Sequence, residues 1–272
     1  MPDKTIMDKL IRFEELLMGA AESGEDVMPQ LTRILGSVHE DMAQKCGPHY
    51  LLESRRLEGI VAEYRGQCQS LKGQLEKDVV REECSTGGMT IHRGYYCPSP
   101  VHDIIVGGAN RGKLFKRMTV KSKPTHRYGF NAAGELVIAY TIGEAGTVPE
   151  IIIRQGQTEI GLLLGSGEFD ITTVSECTYR SDGKIASYTY AVCLPFDEKL
   201  AVHDYHKEIY TYSEDGLLEA VDHHCSYSHY KYHFRHDYEG YLSGYTFAVY
   251  DSNGAITHND DRVREIKIKR KV

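Results

Sequence analysis

Tyr212-Ser213-Glu214-Asp215-Gly216-Leu217-Leu218 carries the pattern that decides the fold: an aromatic residue, small or polar residues, a glycine, one residue and an aliphatic. Asp-Gly is a preferred dipeptide of two-residue hairpin turns, in which both central positions need positive φ. The phrase recurs at Phe130-Asn131-Ala132-Ala133-Gly134-Glu135-Leu136, at Tyr179-Arg180-Ser181-Asp182-Gly183-Lys184-Ile185 and at Tyr250-Asp251-Ser252-Asn253-Gly254-Ala255-Ile256. A looser copy has His236 in the aromatic place and Gly240 at the turn. The glycines at 134, 183, 216, 240 and 254 are unequally spaced, which predicts a meander of hairpins and not a regular solenoid.

One hairpin pair is determined by register. A turn at Asp215-Gly216 pairs Tyr212 with Glu219 and Tyr210 with Val221, and a second turn at Ser226-Tyr227 pairs Val221 with Tyr232 and Asp222 with Lys231. One face then carries Tyr210, Val221, Tyr230, Tyr232 and Phe234, and the other Asp222, His224, His229, Lys231 and His233. An apolar face opposite a polar one is what a half-buried antiparallel sheet requires.

Upstream the period is helical. Ile6, Leu10, Phe13 and Leu17 predict an amphipathic helix over 5–21, and Leu31, Leu35, Val38 and Met42 a second over 27–45. In a third, from about Tyr50 to Arg81, Leu57, Val61, Tyr64, Cys68, Leu71 and Leu75 step by alternating fours and threes, the seam of a heptad. A helix of that span is about 45 Å long at the usual rise per residue. Gly59, Gly66 and Gly73 fall on its far side and suit a solvated face. After Cys84-Ser85-Thr86-Gly87-Gly88 the period becomes alternating. The expected fold class is therefore α+β: a helical hairpin or three-helix unit over 1–84, then a large antiparallel β-meander over 85–272.

The formal charge of −7 argues against a general nucleic-acid binder. No run is long and apolar enough for a membrane span, so neither nucleic acid nor membrane is an expected partner. The first residues lack the basic and apolar regions of a secretory signal. Seven scattered cysteines without CxxC spacing suit reduced thiols in a cytoplasm. The terminal alternation of Arg262, Arg264, Lys267, Lys269, Arg270 and Lys271 with Val263, Ile266, Ile268 and Val272 reads as a guarded edge strand.

Chemistry-bearing motifs are few. Gly107-Gly108-Ala109-Asn110-Arg111-Gly112-Lys113 fits a phosphate loop after an apolar strand, Ile104-Ile105-Val106, but Leu114 replaces the magnesium-holding hydroxyl and a strand pattern follows. A glycine-rich hairpin loop is the better reading. Seven of the 13 histidines lie between His203 and His236. His224, His229 and His233 share a face with Asp222, which makes zinc or another transition metal an alternative to a plain polar face without cofactor. His223 and Cys225 lie on one strand face but two residues apart, too far for a direct nucleophile–base bond. No catalytic residue is expected.

The turn phrases over residues 126–256 resemble the YD repeats of RHS-type bacterial proteins, which form long β-hairpin arrays. The resemblance implies a stack of hairpins. Together with the acidity and 19 tyrosines, it leads to a non-catalytic cytoplasmic bacterial protein that binds another protein, as partner or immunity factor of an RHS-type toxin. Asp222, His224, His229, Lys231 and His233, with Tyr230 and Tyr232, are the expected binding residues. The alternatives are a metal-binding protein or metal-dependent enzyme using that histidine cluster, and a structural module that forms a homo-oligomer through helix 57–75.

Overall fold

The structure is a computed structural model. It describes residues 48–87, 92–105, 112–143, 146–165, 170–196, 199–225, 228–251 and 254–266, and single positions between 5 and 41. Those single positions are helical apart from Val27. Lys9 pairs with Asp41 at 2.6 Å and with Ser37 at 2.5 Å, so the start of the first helical stretch meets the end of the second, as in a helical hairpin.

The third predicted helix is two helices, α1 (Pro48–Tyr64) and α2 (Cys68–Asp78). Gly66 at φ 77° breaks it, and its N–H donates to Asp170 Oδ2 at 3.1 Å. A side chain resists that left-handed conformation, so glycine allows the chain to turn there and follow the sheet. The heptad seam is spent inside the chain: Leu57, Val61, Tyr64 and Cys68 are buried with Ile138, Ile151, Leu162 and Val174 of the sheet, and Leu71 and Leu75 pack beside them. Gly59 and Gly73 have nothing near their Cβ positions, in keeping with a solvated face.

The sheet starts earlier than the period change suggests. β1 (Arg81–Thr86) already belongs to it, so the helix predicted to reach Arg81 ends at Asp78. Then come a 3-10 turn (Gly94–Tyr96), α3 (Pro100–Ile105) and β2 (Lys113–Leu114). Ile104 and Ile105 are thus helical and not a strand, and Val106 to Arg111 lie outside the described residues. Lys113 opens a strand where a phosphate loop needs a helix.

From β3 (His126–Phe130) the chain is an uninterrupted meander: β4 (Leu136–Gly143), β5 (Gly146–Gln155), β6 (Thr158–Leu164), β7 (Ile171–Tyr179), β8 (Ile185–Phe196), β9 (Lys199–Tyr212), β10 (Leu218–Cys225), β11 (His229–His236), β12 (Leu242–Tyr250) and β13 (Ile256–Glu265). All pairs are antiparallel in one open 13-stranded sheet, ordered β13 to β3 and then β1 and β2. Its two edges are β13 and β2, so it does not close.

The five turn phrases share one pair of backbone bonds, which is not that of a two-residue turn. At Ser213 the backbone N–H donates to Leu217 O and the carbonyl accepts from Gly216 N–H, both at 2.9 Å. The same two bonds form at Asn131, Arg180, Asp237 and Asp251. Among the described residues of these turns only the glycines, 134, 183, 216, 240 and 254, take positive φ, between 76° and 80°; Asp182 and Asp215 do not. This is a three-residue loop with a bulge, so the aromatic pairs with the aliphatic that closes the phrase: Phe130 with Leu136, Tyr179 with Ile185, Tyr212 with Leu218, His236 with Leu242 and Tyr250 with Ile256. Tyr212 therefore faces Leu218 and not Glu219, and the bulge between Leu218 and Ala220 restores the predicted Val221–Tyr210 pair. Val221–Tyr232, Asp222–Lys231 and His224–His229 stand as the register predicts.

Candidate functional site

The sheet has two dissimilar faces, each with its own cover. α1 and α2 lie on one face over β4 to β9. There Arg56 holds Glu176 at 2.7 Å, Lys207 pairs with Glu53, and Tyr50 packs on Tyr205 at 5.5 Å with the rings tilted by 36°. Among the described residues this helical cover ends at β9. Beyond it the same face continues onto β10, β11 and β12 with the polar set read from the sequence.

His224 and His229 stack at 4.1 Å with 13° between the rings, and Tyr250 stacks on His229 at 4.9 Å. Asp222 Oδ1 lies 3.3 Å from His229 Nε2, and Lys231 Nζ 3.8 Å from Asp222 Oδ2. His233 is exposed and the other four are half-buried. Alternation places them side by side, and cross-strand contacts of this kind hold each other in place. Tyr230 and Tyr232 do not join them. They point to the opposite face, Tyr232 buried among Tyr210, Val221 and Phe234. Among the described residues no group of three or more His, Cys, Asp or Glu side chains is placed to hold a metal.

The other face carries a buried polar seam beneath the segment from His92 to Ile104. Arg93 Nη1 donates to Glu159 Oε2 at 2.6 Å, and its backbone N–H to Glu150 Oε2 at 2.9 Å. Tyr179 OH also donates to Glu159, at 2.9 Å, and Arg154 pairs with it. Arg93 is 4% exposed and is the one described non-glycine residue at positive φ, 55°. Burial pushes the Glu150 carboxyl above its ordinary range despite Arg93 beside it. Burial also opposes ionisation of Glu159, but there the Arg93 guanidinium, with Tyr179 and Arg154, outweighs it and holds the carboxyl below the usual range. The two carboxylates keep Arg93 charged against its desolvation.

Further along, Ser99 Oγ donates to Glu208 Oε1 at 2.5 Å, and Tyr210 OH to Glu208 Oε2 at 2.6 Å. A row of rings crosses four strands. Tyr190 stacks on His206 at 4.6 Å, His206 on His223 at 5.1 Å, and His223 on Tyr230 at 5.7 Å. His206 Nδ1 and His223 Nε2 are 2.9 Å apart, one donating to the other. Cys225 donates its thiol to Ser228 O at 3.2 Å, and burial raises the Cys177 thiol to about 12, which keeps that side chain a thiol.

Sequence reasoning did not find this seam. Its one legible trace is Glu150 and Glu159 standing at inward positions of otherwise apolar strands, Glu150 before Ile151-Ile152-Ile153 and Glu159 before Ile160. The seam is closed over, and some of its buried polar atoms, Arg93 Nη2 and Glu150 Oε1 among them, have no hydrogen-bond partner, whereas among the described residues nothing of the helical cover reaches the polar face over β10 to β12, which makes the latter the better candidate for a partner. No protein-family model matches the chain, and no curated protein matches it either.

Proposed function

We propose that this chain is a non-catalytic binding protein whose docking surface is the face of β10–β12 beyond the helical cover, formed by Asp222, His224, His229, Lys231 and His233. The observation that supports it is the contrast along one face. The stretch over β4–β9 is covered by α1 and α2 through an apolar core and ion pairs to the helix, whereas the stretch over β10–β12 displays stacked imidazoles and an ion-paired row on a bulge-registered backbone. Side chains fixed by their neighbours lose little entropy on binding, which suits a recognition surface.

The partner is another protein. The hairpin phrases resemble those of RHS-type proteins, so a secreted toxin of that class from the same host is the first partner to test, with this chain as its partner or immunity factor. Affinity capture from the native host should return one dominant protein. Lys231→Glu should lose it, and Lys77→Glu, on α2, should retain it. Capture of nothing above background, or capture indifferent to Lys231→Glu, would sink the reading.

A further inference from the structure

The stretch between α3 and β4 is one-signed. Residues 104–134 hold seven of the 32 Lys and Arg and none of the 39 Asp and Glu. Lys113, Lys116, Arg117, Lys121 and Lys123 are exposed. None of these five pairs with a described carboxylate, whereas Arg127 next to them pairs with Glu82 at 3.4 Å. Between the cations, at the tip of the loop from β2 to β3, stand Met118 at 45% exposure and Val120 at 104%.

This tip is held in place. Phe115 N–H donates to Cys84 O and Thr125 N–H to Ser85 O, both at 2.9 Å, which ties both ends of the loop to β1. Between them Ser122 N–H donates to Thr119 O, and Thr119 N–H to Ser122 Oγ, each at 2.9 Å. A hydrogen-bonded turn therefore holds two aliphatic side chains in solvent between five cations in sequence, at one edge of a molecule of net negative charge.

We propose that the 113–123 loop is a membrane-contact element that docks on anionic lipid, with Lys113, Lys116, Arg117, Lys121 and Lys123 on the headgroups and Met118 and Val120 inserted among the acyl chains. Cations around exposed aliphatics match the two layers of a bilayer surface, charge outside and hydrocarbon within. Nucleic acid satisfies the lysines, but single strands are gripped by aromatic stacking and the tip exposes no aromatic ring. The acidic remainder of the chain repels the same surface and orients this edge toward it.

The test is sedimentation of the full chain with vesicles of phosphatidylcholine alone and of phosphatidylcholine mixed equally with phosphatidylserine. Binding is expected to the mixed vesicles only, and to fall as salt rises. Lys121→Gln should weaken it about fivefold, the equivalent of about 1 kcal/mol per surface charge. Val120→Ser, which leaves charge unchanged, should weaken it about tenfold through lost apolar burial. Both positions are exposed, so unchanged thermal melting of each variant verifies the fold. Failure to sediment with the mixed vesicles overturns the proposal. Indifference to Val120→Ser also overturns it, as does equally tight binding of duplex DNA or poly-aspartate, because the loop is then an anion contact without insertion. Capture through β10–β12 does not bear on the result, since that surface lies near the opposite edge of the sheet.

Discussion

Single residues in the buried seam carry the largest energetic stakes. Arg93 is paid for by Glu150 and Glu159 together, so Glu159→Gln leaves a buried guanidinium under-compensated and should cost about 3–5 kcal/mol in chemical denaturation. Glu159 also sets a pH dependence. Its folded carboxyl titrates below the ordinary carboxylate range, so its contribution is present above that range and is lost as pH falls through the folded value. Glu150 has the opposite sign: its raised carboxyl disfavours the folded state once pH rises above its unfolded value. Acid unfolding followed in Glu159→Gln should therefore be less steep than in the native chain. Close packing in the same place is equally unforgiving. A Cβ on Gly161 would sit 2.3 Å from Ser175 Oγ and 2.8 Å from Glu150 Oε1, and Gly161→Ala should destabilise by about 1–3 kcal/mol through overpacking.

At the scale of the element, the hairpins and helices predict opposite outcomes for one substitution. Gly183 holds φ 80° in its turn, so Gly183→Ala should cost about 1–2 kcal/mol. Gly73 is helical with open space at its Cβ, so Gly73→Ala should add about 1 kcal/mol. Equilibrium denaturation of the pair checks both signs. The edge strand β13 has its own device. Phe247 pairs with Asp260 and Tyr245 with Arg264, so extra residues bulge out between them. Asp260 binds Arg262 at 3.0 Å and Arg264 at 2.8 Å, and these side chains cover its carboxylate although the strand is peripheral. Their hydrogen bonds hold Asp260 well below the usual carboxylate range. Asp260→Ala should release the bulge and leave a flatter edge, seen as concentration-dependent association in light scattering.

At the scale of the molecule, the helical unit and the sheet share one core, so the heptad seam is a packing surface within the chain. Leu57→Ala should cost about 2–5 kcal/mol, with a midpoint that does not move with protein concentration. A concentration-dependent midpoint would instead restore helix 57–75 as an oligomer contact. Charge also separates at this scale. The chain-wide −7 describes the average surface and conceals the basic 113–123 loop, where an average excludes nothing.

Much of this was legible in the residues. The turn phrases locate five hairpins, because a bulged turn needs glycine at one position and its flanking pair needs apolar bulk. The alternation from Tyr210 to Phe234 sets the register and sorts polar from apolar faces, because side-chain direction in a strand has a period of two. Those rules are local, and the chain obeys them locally. Tertiary structure alone decided the rest: that Gly66 breaks the heptad helix, that Arg93 crosses to Glu150 and Glu159, that α1 and α2 stop at β9, and that a basic loop stands apart at the far edge. Each depends on which distant surfaces meet, and burial and ion pairing between remote segments leave no periodic mark on the sequence.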